Sequence, residues 1–485
     1  MYCQLEILRH CLPSSVQGIL DELPETLDET YERVLKDINK VNQKHAIRLL
    51  HCLAVAIRPL RVEELAEVLA VDFDAARQGG IPKLNPNWRW VDQHQAVLST
   101  CSSLIAIVNA GGSQVVQFSH FSVKEYLTSD RLANASGDVS RYHILPKSAH
   151  TILAQACLGV LLRLDDHVNW ENARDIPLAY YAAEHWVDHA QVKGVSSCIQ
   201  DTMKLFFDAD KSHFAVWLRL HNIDDGFSSF TVGPGEMPGG RPLYYASLCG
   251  FYDIAKHLAI KHPEHVNARA GRMVSPLGVA LYRNHFQVAE LLLEHGGDVH
   301  IRGYLRRTLL HSTLLGGYND TVLWLLNHGA DVDAHDEVGW SPLHLLCWNK
   351  YLEPVQMALK HNADIHVRNA RGEVALHLAA CGWHWKYDSH YQTNLNIPLL
   401  LLEHGADVNA RDNEGSTPLH HSSFRFEDGL SFEGRGSVEG TRLLLEHGAN
   451  IDAENNKGDT PFLVALEAGH HEMAEFLWGL GTRLA

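Results

Sequence analysis

The second half of this 485-residue chain repeats one short pattern, and a sequence that repeats at a short period folds as a stack of similar units. The pattern is a Ser/Thr-Pro-Leu-His type segment whose proline position falls at 242, 276, 308, 342, 375, 418 and 461. The steps between these positions are 34, 32, 34, 33, 43 and 43 residues, so the last two steps carry insertions. Because one such unit cannot bury its own apolar face, the pattern predicts seven units packed in a row.

A second anchor keeps the same register along the array. Serine or threonine before proline can cap the first helix of a unit, and glycine after the second helix can adopt the left-handed backbone that ends it. A polar turn such as residues 412–415 then predicts a protruding hairpin finger. The second anchor occurs as HVNARA from His265, HGGDVHI from His295, HGADVDA from His328, HNADIHV from His361, HGADVNA from His404 and HGANIDA from His447. Together these features resemble ankyrin repeats, which implies a helical solenoid with a concave binding face.

The charge and hydropathy patterns narrow the classes of function. The chain has 41 basic and 58 acidic residues, a net charge of −17, which disfavours nucleic acid and favours a protein partner with a basic surface. No apolar run approaches the roughly 20 residues that a membrane span needs, so we expect no membrane partner. Glu6 and Arg9 interrupt what would be the apolar part of a signal peptide. We therefore expect a cytoplasmic protein.

The first 240 residues lack the repeat and are mainly helical by pattern. We predict helices over residues 26–38, 43–56, 62–70 and 92–103, followed by strands at 104–108 and 115–118. The last three of these helices, followed by the hairpin, are typical of a winged-helix fold. The helix in the recognition position, 92–103, contains one acid and no lysine or arginine, so we expect a packing module and no DNA contact.

Three segments before the repeats are more specific. They are LPETLDETYERVL from Leu23, IRPLRVEELAEVLAVDF from Ile57 and FSHFSVKEYL from Phe118. They resemble the segments that follow the nucleotide-binding core in fungal NACHT-ankyrin proteins, which are signalling NTPases of the NOD-like receptor kind. The likeness continues through PLAYYAAEHWVDHAQ from Pro177 into the repeats.

This resemblance and the repeat pattern give a mainly α protein in five parts. Residues 1–42 would be a helical remnant of the NTPase module, 43–133 the winged-helix domain, 134–225 a helical connector, 226–240 a flexible linker and 241–485 seven ankyrin repeats. The glycine-rich phosphate loop of the family, G-x-x-x-x-G-K-[ST], does not occur in this sequence. The nucleotide switch therefore cannot be carried over, and we expect no cofactor.

Candidate chemistry is sparse. In the first insertion His384, Asp388 and His390 could meet a metal, but a loop rich in tryptophan and tyrosine more often contacts a partner or packs on its neighbour. A set of histidines shares the Pro-Leu-His position with no nucleophile at the same spacing, which favours a local hydrogen bond over acid–base catalysis. These are His344, His377 and His420. We expect no metal and no enzymatic activity.

The candidate binding residues lie where the repeat leaves positions variable. Between the finger glycine and the Ser/Thr-Pro pair stand Trp340, Glu373, Ser416 and Asp459. Further aromatic anchors on or beside the inner helices are Trp348, Trp383 and Trp385. Acidic finger residues expected to steer a partner are Asp336, Glu337, Asp412 and Glu414. The alternative for the tryptophans is that their rings fill gaps between repeats, and the sequence leaves both open.

These observations favour a non-enzymatic adaptor that binds a protein partner in NOD-like receptor type signalling or recognition. One alternative is the C-terminal part of a NACHT-type NTPase whose nucleotide-binding core is missing from this gene model. Another is a decoy that competes with a full-length relative.

Overall fold

The structure is a computed structural model of the chain. It divides into two units by internal contacts, residues 1–228 with 240–263 and residues 229–239 with 264–485. Residues 1–25 and the expected linker, 226–240, lie outside the described part of the chain. The described residues are 26–74, 81–135, 137–165, 167–168, 172–208, 210–221, 223–224, 241–270, 273–316, 318–381, 383–385, 395–423, 425–427, 432–435 and 437–484.

The first unit opens with the predicted winged helix. Thr26 Oγ1 accepts from the backbone N–H of Glu29 at 3.2 Å, and Asp92 Oδ1 accepts from that of Gln95 at 3.0 Å, so both helices start at caps visible in the sequence. The elements are α1 Leu27–Asp37, α2 Gln43–Val55, β1 Leu60–Arg61, α3 Val62–Leu69, β2 Val71–Asp72, β3 Lys83–Leu84, α4 Gln93–Cys101, β4 Ile105–Ala110 and β5 Ser113–Phe118. Strands β4 and β5 form the predicted hairpin, and β1 adds a third strand in the order β1-β5-β4. The winged-helix prediction is confirmed.

A buried carboxylate explains the segment Arg-Pro-Leu-Arg-Val-Glu-Glu-Leu. Glu64 is fully buried and accepts from the Arg58 guanidinium at 2.7 and 2.8 Å. It also accepts from the backbone N–H of Arg61 at 2.8 Å, so the Glu64 side chain satisfies the N-cap amide at the start of α3. The segment is therefore needed for the fold of this domain.

The rest of the first unit is a helical connector that includes the helix pair of the first repeat. Its helices are α5 Phe121–Leu127, α6 Asp130–Ala133, α7 Pro146–Leu161, α8 Ala179–Gln191, α9 Val195–Cys198, α10 Gln200–Phe206, α11 Ser212–Leu220, α12 Pro242–Leu248 and α13 Tyr252–Lys261. A group of buried aromatic rings, here called the connector cluster, joins α8, α10, α11 and the first repeat. Its members are Trp186, Phe206, Phe207, Phe214, Trp217, Tyr245 and Phe251.

The second unit is a row of helix pairs with the predicted repeat. Its helices are α14 Pro276–Tyr282, α15 Phe286–Glu294, α16 Leu309–Gly316, α17 Asn319–Asn327, α18 Pro342–Trp348, α19 Leu352–Lys360, α20 Ala375–Ala380, α21 Asn396–Glu403, α22 Pro418–Ser423, α23 Val438–Glu446, α24 Pro461–Glu467 and α25 His471–Leu484. The inner helices α16, α18, α20, α22 and α24 pack on one another in sequence order. The second unit is thus the predicted ankyrin-type solenoid.

The second anchor ends the outer helices. In His295, His328, His404 and His447 the ring Nδ1 lies 2.7–2.8 Å from the carbonyl four residues earlier. The glycine that follows each of them has a φ between +80° and +93°, as the sequence predicts. In the unit HNADIHV the place of glycine is taken by Asn362, with φ +61°, because asparagine tolerates the left-handed region better than most side chains.

The first anchor ties several successive repeats together through histidine. In His344, Nδ1 accepts from the backbone N–H of Ser341 at 3.1 Å, and Nε2 donates to the carbonyl of Glu373 in the next finger at 3.0 Å. The same pair of bonds recurs at His377 and His420. The predicted local hydrogen bond is confirmed, and it extends to the neighbouring repeat.

The fingers are linked by arginines at one repeat position. Arg302 donates to the carbonyl of His335 at 2.5 Å, and Arg368 donates to that of Arg411 at 2.5 Å. Arg411 in turn donates to the carbonyl of Glu454 at 2.7 Å. Each bond spans two fingers, which stiffens one edge of the array.

The two insertions, predicted only as breaks in the period, pair with each other. Strand β6, Trp383–Trp385, comes from the first insertion, and β7, Arg425–Glu427, and β8, Phe432–Arg435, come from the second. They form an antiparallel sheet in the order β6-β8-β7. At the base of the first insertion, Lys350 Nζ donates at 2.6–2.9 Å to three carbonyls at the C-terminal end of α20, where helix geometry leaves carbonyls without intrahelical donors.

Candidate functional site

A groove of about 1270 Å³ crosses the inner helices of the second unit. Three repeat positions, each recurring in successive repeats, supply most of its walls. The position two residues before the inner helix gives Arg307, Trp340, Glu373 and Ser416, because the inner helix of the Arg307 repeat begins at Leu309, one residue after the position 308 assigned from the sequence. A position in the inner helix gives Leu345, Leu378, His421 and Val464, and the end of the inner helix gives Trp348 and Cys381. Because these positions recur from one repeat to the next, the walls of the groove form only when the repeats stack.

The structure brings seven of the predicted binding residues to this groove. They are Asp336, Trp340, Trp348, Glu373, Asp412, Glu414 and Ser416. Two others do not line it: Glu337 is exposed on a finger, and Asp459 lies one repeat beyond, where its Oδ2 is 3.3 Å from Asn455 Nδ2. Trp383 and Trp385 lie in β6 with His384 between them, and their side chains lie outside the described part of the structure. Asp388 and His390 lie outside the described residues.

The two groove tryptophans contact each other. The rings of Trp340 and Trp348 are 5.5 Å apart between centroids and inclined at 75°, an edge-to-face pair. Both side chains are half-buried and line the groove. The rings therefore pack on each other within one repeat and line the groove, as expected for binding anchors, and whether they also fill a gap between repeats stays a prediction.

The finger aspartates form the turns. Asp336 Oδ1 accepts from the backbone N–H groups of Val338 and Trp340 at 3.0 and 2.9 Å, and its Oδ2 lies 3.5 Å from Arg307 Nε. Asp336 is only 6% exposed. Its carboxylate is thus committed to the turn and to Arg307, and differs from the exposed tip charge that the sequence suggested.

Asp412 has the same role and a second partner. Its Oδ1 accepts from the backbone N–H groups of Glu414 and Ser416 at 2.9 and 2.8 Å, and Oδ2 lies 2.9 Å from His421 Nε2. Burial alone would lower the pKa of His421, but its hydrogen bond to Asp412 prevails and raises that pKa to about 10. The pair is therefore an imidazolium and a carboxylate at neutral pH.

A metal ion bound by Asp412 and His421 would need His377 as its third ligand. His377, Asp412 and His421 offer ligand atoms within 4.8 Å of one another. However, His377 Nδ1 accepts from the backbone N–H of Val374, and its Nε2 donates to the carbonyl of Ser416. Neither ring nitrogen has a spare lone pair, so these residues do not fit a three-ligand metal site.

Sequence reasoning missed several groove residues. Arg307 occupies the same repeat position as Trp340, and Leu345, Leu378 and His421 share one position on the inner helix. Alignment of the repeats to one another would have placed all of them on the concave face. The pairing of His421 with Asp412 could not be found in this way, because it joins a helix residue to a finger residue and no local sequence pattern indicates it.

The fold and groove define the class: an ankyrin-repeat protein with an N-terminal winged-helix domain. Comparison with known families agrees. Overlapping segments 243–336, 277–369, 310–412, 343–432 and 392–484 match "Ankyrin repeats (3 copies)". Residues 20–137 match "GPI inositol-deacylase, winged helix domain".

Two curated proteins are similar to parts of the chain. "Azaphilone pigments biosynthesis cluster protein L" from Monascus ruber is 31% identical over 297 residues, which cover 58% of this chain and 61% of that protein. "Alpha-latrocrustotoxin-Lt1a" from Latrodectus tredecimguttatus is 35% identical over 68 residues, 14% of this chain and 5% of the toxin. The chain thus matches less than two thirds of either relative. None of the helices in the described part is long and apolar enough to span a membrane.

Proposed function

We propose that this chain is a non-enzymatic, cytoplasmic adaptor that binds a protein partner in the groove of its second unit. The observation that carries the proposal is the Trp340–Trp348 pair, which is half-buried against the repeats and open to a groove of about 1270 Å³. Aromatic side chains in such a setting are frequent anchors of protein interfaces. The resemblance to NACHT-ankyrin segments, together with the winged-helix match, favours a role in NOD-like receptor type signalling or recognition.

The groove is stiff, which favours binding. Histidine bonds such as His344 to the carbonyl of Glu373 and arginine bonds such as Arg368 to that of Arg411 hold each repeat to the next. Because the walls are held in place before binding, a partner pays little for ordering them.

The charges favour a protein over nucleic acid. The outward positions of α4 include Gln95 and Ser99, and the helix contains no lysine or arginine. With a net charge of −17, the whole chain repels a polyphosphate.

Site-specific photo-crosslinking in the full-length chain tests the proposal. A photoreactive residue at Asn349, which lines the groove, should capture a partner in lysate, and the Trp340→Ala/Trp348→Ala variant should abolish the adduct. A photoreactive residue at Gln356, exposed on the outer helix of the same repeat, is the matched control. Equal capture at both positions, or capture that survives the double variant, would place binding elsewhere.

A second candidate is the C-terminal part of a NACHT-type NTPase. It is supported by the winged-helix match over residues 20–137 and by the three motifs that resemble the family. Sequencing the 5′ end of the transcript tests it. An in-frame phosphate loop upstream supports this candidate, and a stop codon in frame with no such loop contradicts it.

A further inference from the structure

One carboxylate that lines the groove, that of Glu373, is buried and has a hydrogen-bond donor on one of its two oxygens. Glu373 is 6% exposed and lines the groove. Its Oε2 accepts from Asn369 Nδ2 at 2.6 Å, and its backbone N–H donates to Asn369 Oδ1 at 3.0 Å. Among the described residues no hydrogen bond reaches Oε1, and this oxygen is not sealed off in the interior. It therefore faces the groove as an acceptor without a donor.

The neighbouring charges leave this carboxylate in excess. Arg307 is paired with Asp336, and His421 is paired with Asp412, so these groove-lining charges cancel. Two further carboxylates on the groove, Glu373 and Glu414, are then left with Arg371, which is exposed on a finger, and with the share of the His421 charge that also acts on Glu373. A cation entering the groove meets a net negative site.

The aromatic pair lies one repeat before Glu373. Trp340 holds the repeat position that Glu373 holds in the next repeat, and His344 touches both, through a ring contact at 6.3 Å and a hydrogen bond of 3.0 Å to the Glu373 carbonyl. A tryptophan face attracts a cation, by about 0.5–2 kcal/mol depending on how dry the site is. The tryptophan rings and the carboxylate line the same groove, and the two kinds of group together suit an ammonium or guanidinium group.

We propose that Trp340, Trp348 and Glu373 bind the basic side chain of a lysine or arginine in an extended segment of the partner. The inference deepens the proposed partner binding and takes the groove as its site. Packed helices are about 8–10 Å apart. An extended chain rises about 3.3 Å per residue. The segment would therefore advance about three residues per repeat. Its basic side chain would lie between α18, whose repeat carries Trp340 and Trp348, and α20, whose repeat carries Glu373.

Two small probes that differ only in charge test the proposal on the full-length chain. Nα-acetyl-lysine methylamide and Nα-acetyl-norleucine methylamide have similar length and apolar surface, and only the first is a cation; the arginine derivative is a third probe. In ¹⁹F NMR of 5-fluorotryptophan-labelled protein, the cationic probes should shift the Trp340 and Trp348 resonances, assigned by single Trp→Phe variants. We expect binding about tenfold tighter than for the norleucine probe.

Matched variants localise the effect. Glu373→Gln should weaken binding of the cationic probes about tenfold, and Trp348→Leu, which leaves the carboxylate in place, should weaken it as well. Asp459→Asn changes the same repeat position two repeats later and should leave binding unchanged. Equal binding of all three probes, absence of any shift, or a Glu373→Gln variant that binds as the natural chain does would each overturn the proposal.

The outcome separates this inference from the proposed function. If a partner crosslinks at Asn349 while Glu373→Gln keeps its affinity and the lysine probe does not compete, the cation receptor is refuted and partner binding stands. If the lysine probe binds through Glu373 and no partner crosslinks at Asn349, the receptor stands and the adaptor function fails.

Discussion

Replacing His377 with glutamine should make the centre of the array less sensitive to acid. The His377 ring is fully buried, and burial, followed by the charge of His421, lowers its pKa from 6.5 to about 4. Its Nε2 donates to the carbonyl of Ser416 at 3.2 Å. A glutamine amide can donate to the same carbonyl and cannot take up a proton, so the variant separates the hydrogen bond from the titration.

The expected magnitude follows from proton linkage. The folded pKa of His377 lies below the unfolded one, so the unfolded state takes up the proton first as pH falls. Stability that is present above pH 6.5 is therefore lost as pH falls toward 4, by about 2 kcal/mol between pH 7 and pH 5. His421 has the opposite sign: with its pKa raised to about 10, its contribution is complete below pH 6.5 and is lost only as pH rises through 10. Of these two histidines, His377 is therefore the one that makes the array labile to acid.

Hydrogen exchange measured by mass spectrometry gives local opening free energies without assuming two-state unfolding of the whole chain. Peptides covering α20 and α22 in the natural chain should lose about 2 kcal/mol more between pH 7 and pH 5 than in His377→Gln. His366→Gln, at an exposed position near the same finger, is the control. If the natural chain and His377→Gln respond equally to pH, the linkage argument is refuted.

Three further changes test the joints of the array by local hydrogen exchange. Gly372→Ala should destabilise its finger by about 2 kcal/mol or more, since φ is +75° and the new Cβ would lie 2.8 Å from the backbone nitrogen of Asn413 in the next finger. Gly405→Ala is the control: its φ is +91° but the space around it is open, so it should cost only about 1 kcal/mol. Similar costs for both would refute the role of close approach. Lys350→Met should cost about 2–3 kcal/mol at the end of α20, because three carbonyls lose their donor, whereas exposed Lys360→Met should be near neutral. Arg368→Met should cost about 1–2 kcal/mol and speed exchange in the next finger, and unchanged exchange there would show that the finger bonds do not stiffen the array.

The repetitive parts of the fold were predictable because their causes are local. A cap such as Thr26 and the proline positions of the inner helices each fix a helix end within a few residues. The winged-helix hairpin was visible as two strand-like runs around Gly111 and Gly112, both of which have positive φ. These features need no knowledge of distant residues.

The remaining features depend on contacts between distant residues. Strand β1 is only Leu60–Arg61 and becomes a strand by pairing with β5. The sheet of the insertions joins segments 47 to 51 residues apart, and neither has a turn signal pointing to the other. At the groove, an aspartate letter does not reveal whether its carboxylate is exposed or bonded within the turn, which is why Asp336 was expected at a tip and lies buried.

The connector cluster determines where this protein can be cut. A repeat array exposes an apolar face at each end and needs a cap there. At the N-terminal end the rings of Tyr245 and Phe251, in the first repeat, are buried against Trp186, Phe214 and other rings of the connector. A fragment starting at residue 241 would bring these rings into water and would aggregate or lose its first helix pair. The connector therefore covers the first repeat as a preceding repeat would. A chimera that exchanges repeat arrays between relatives should fold only if it includes the connector cluster.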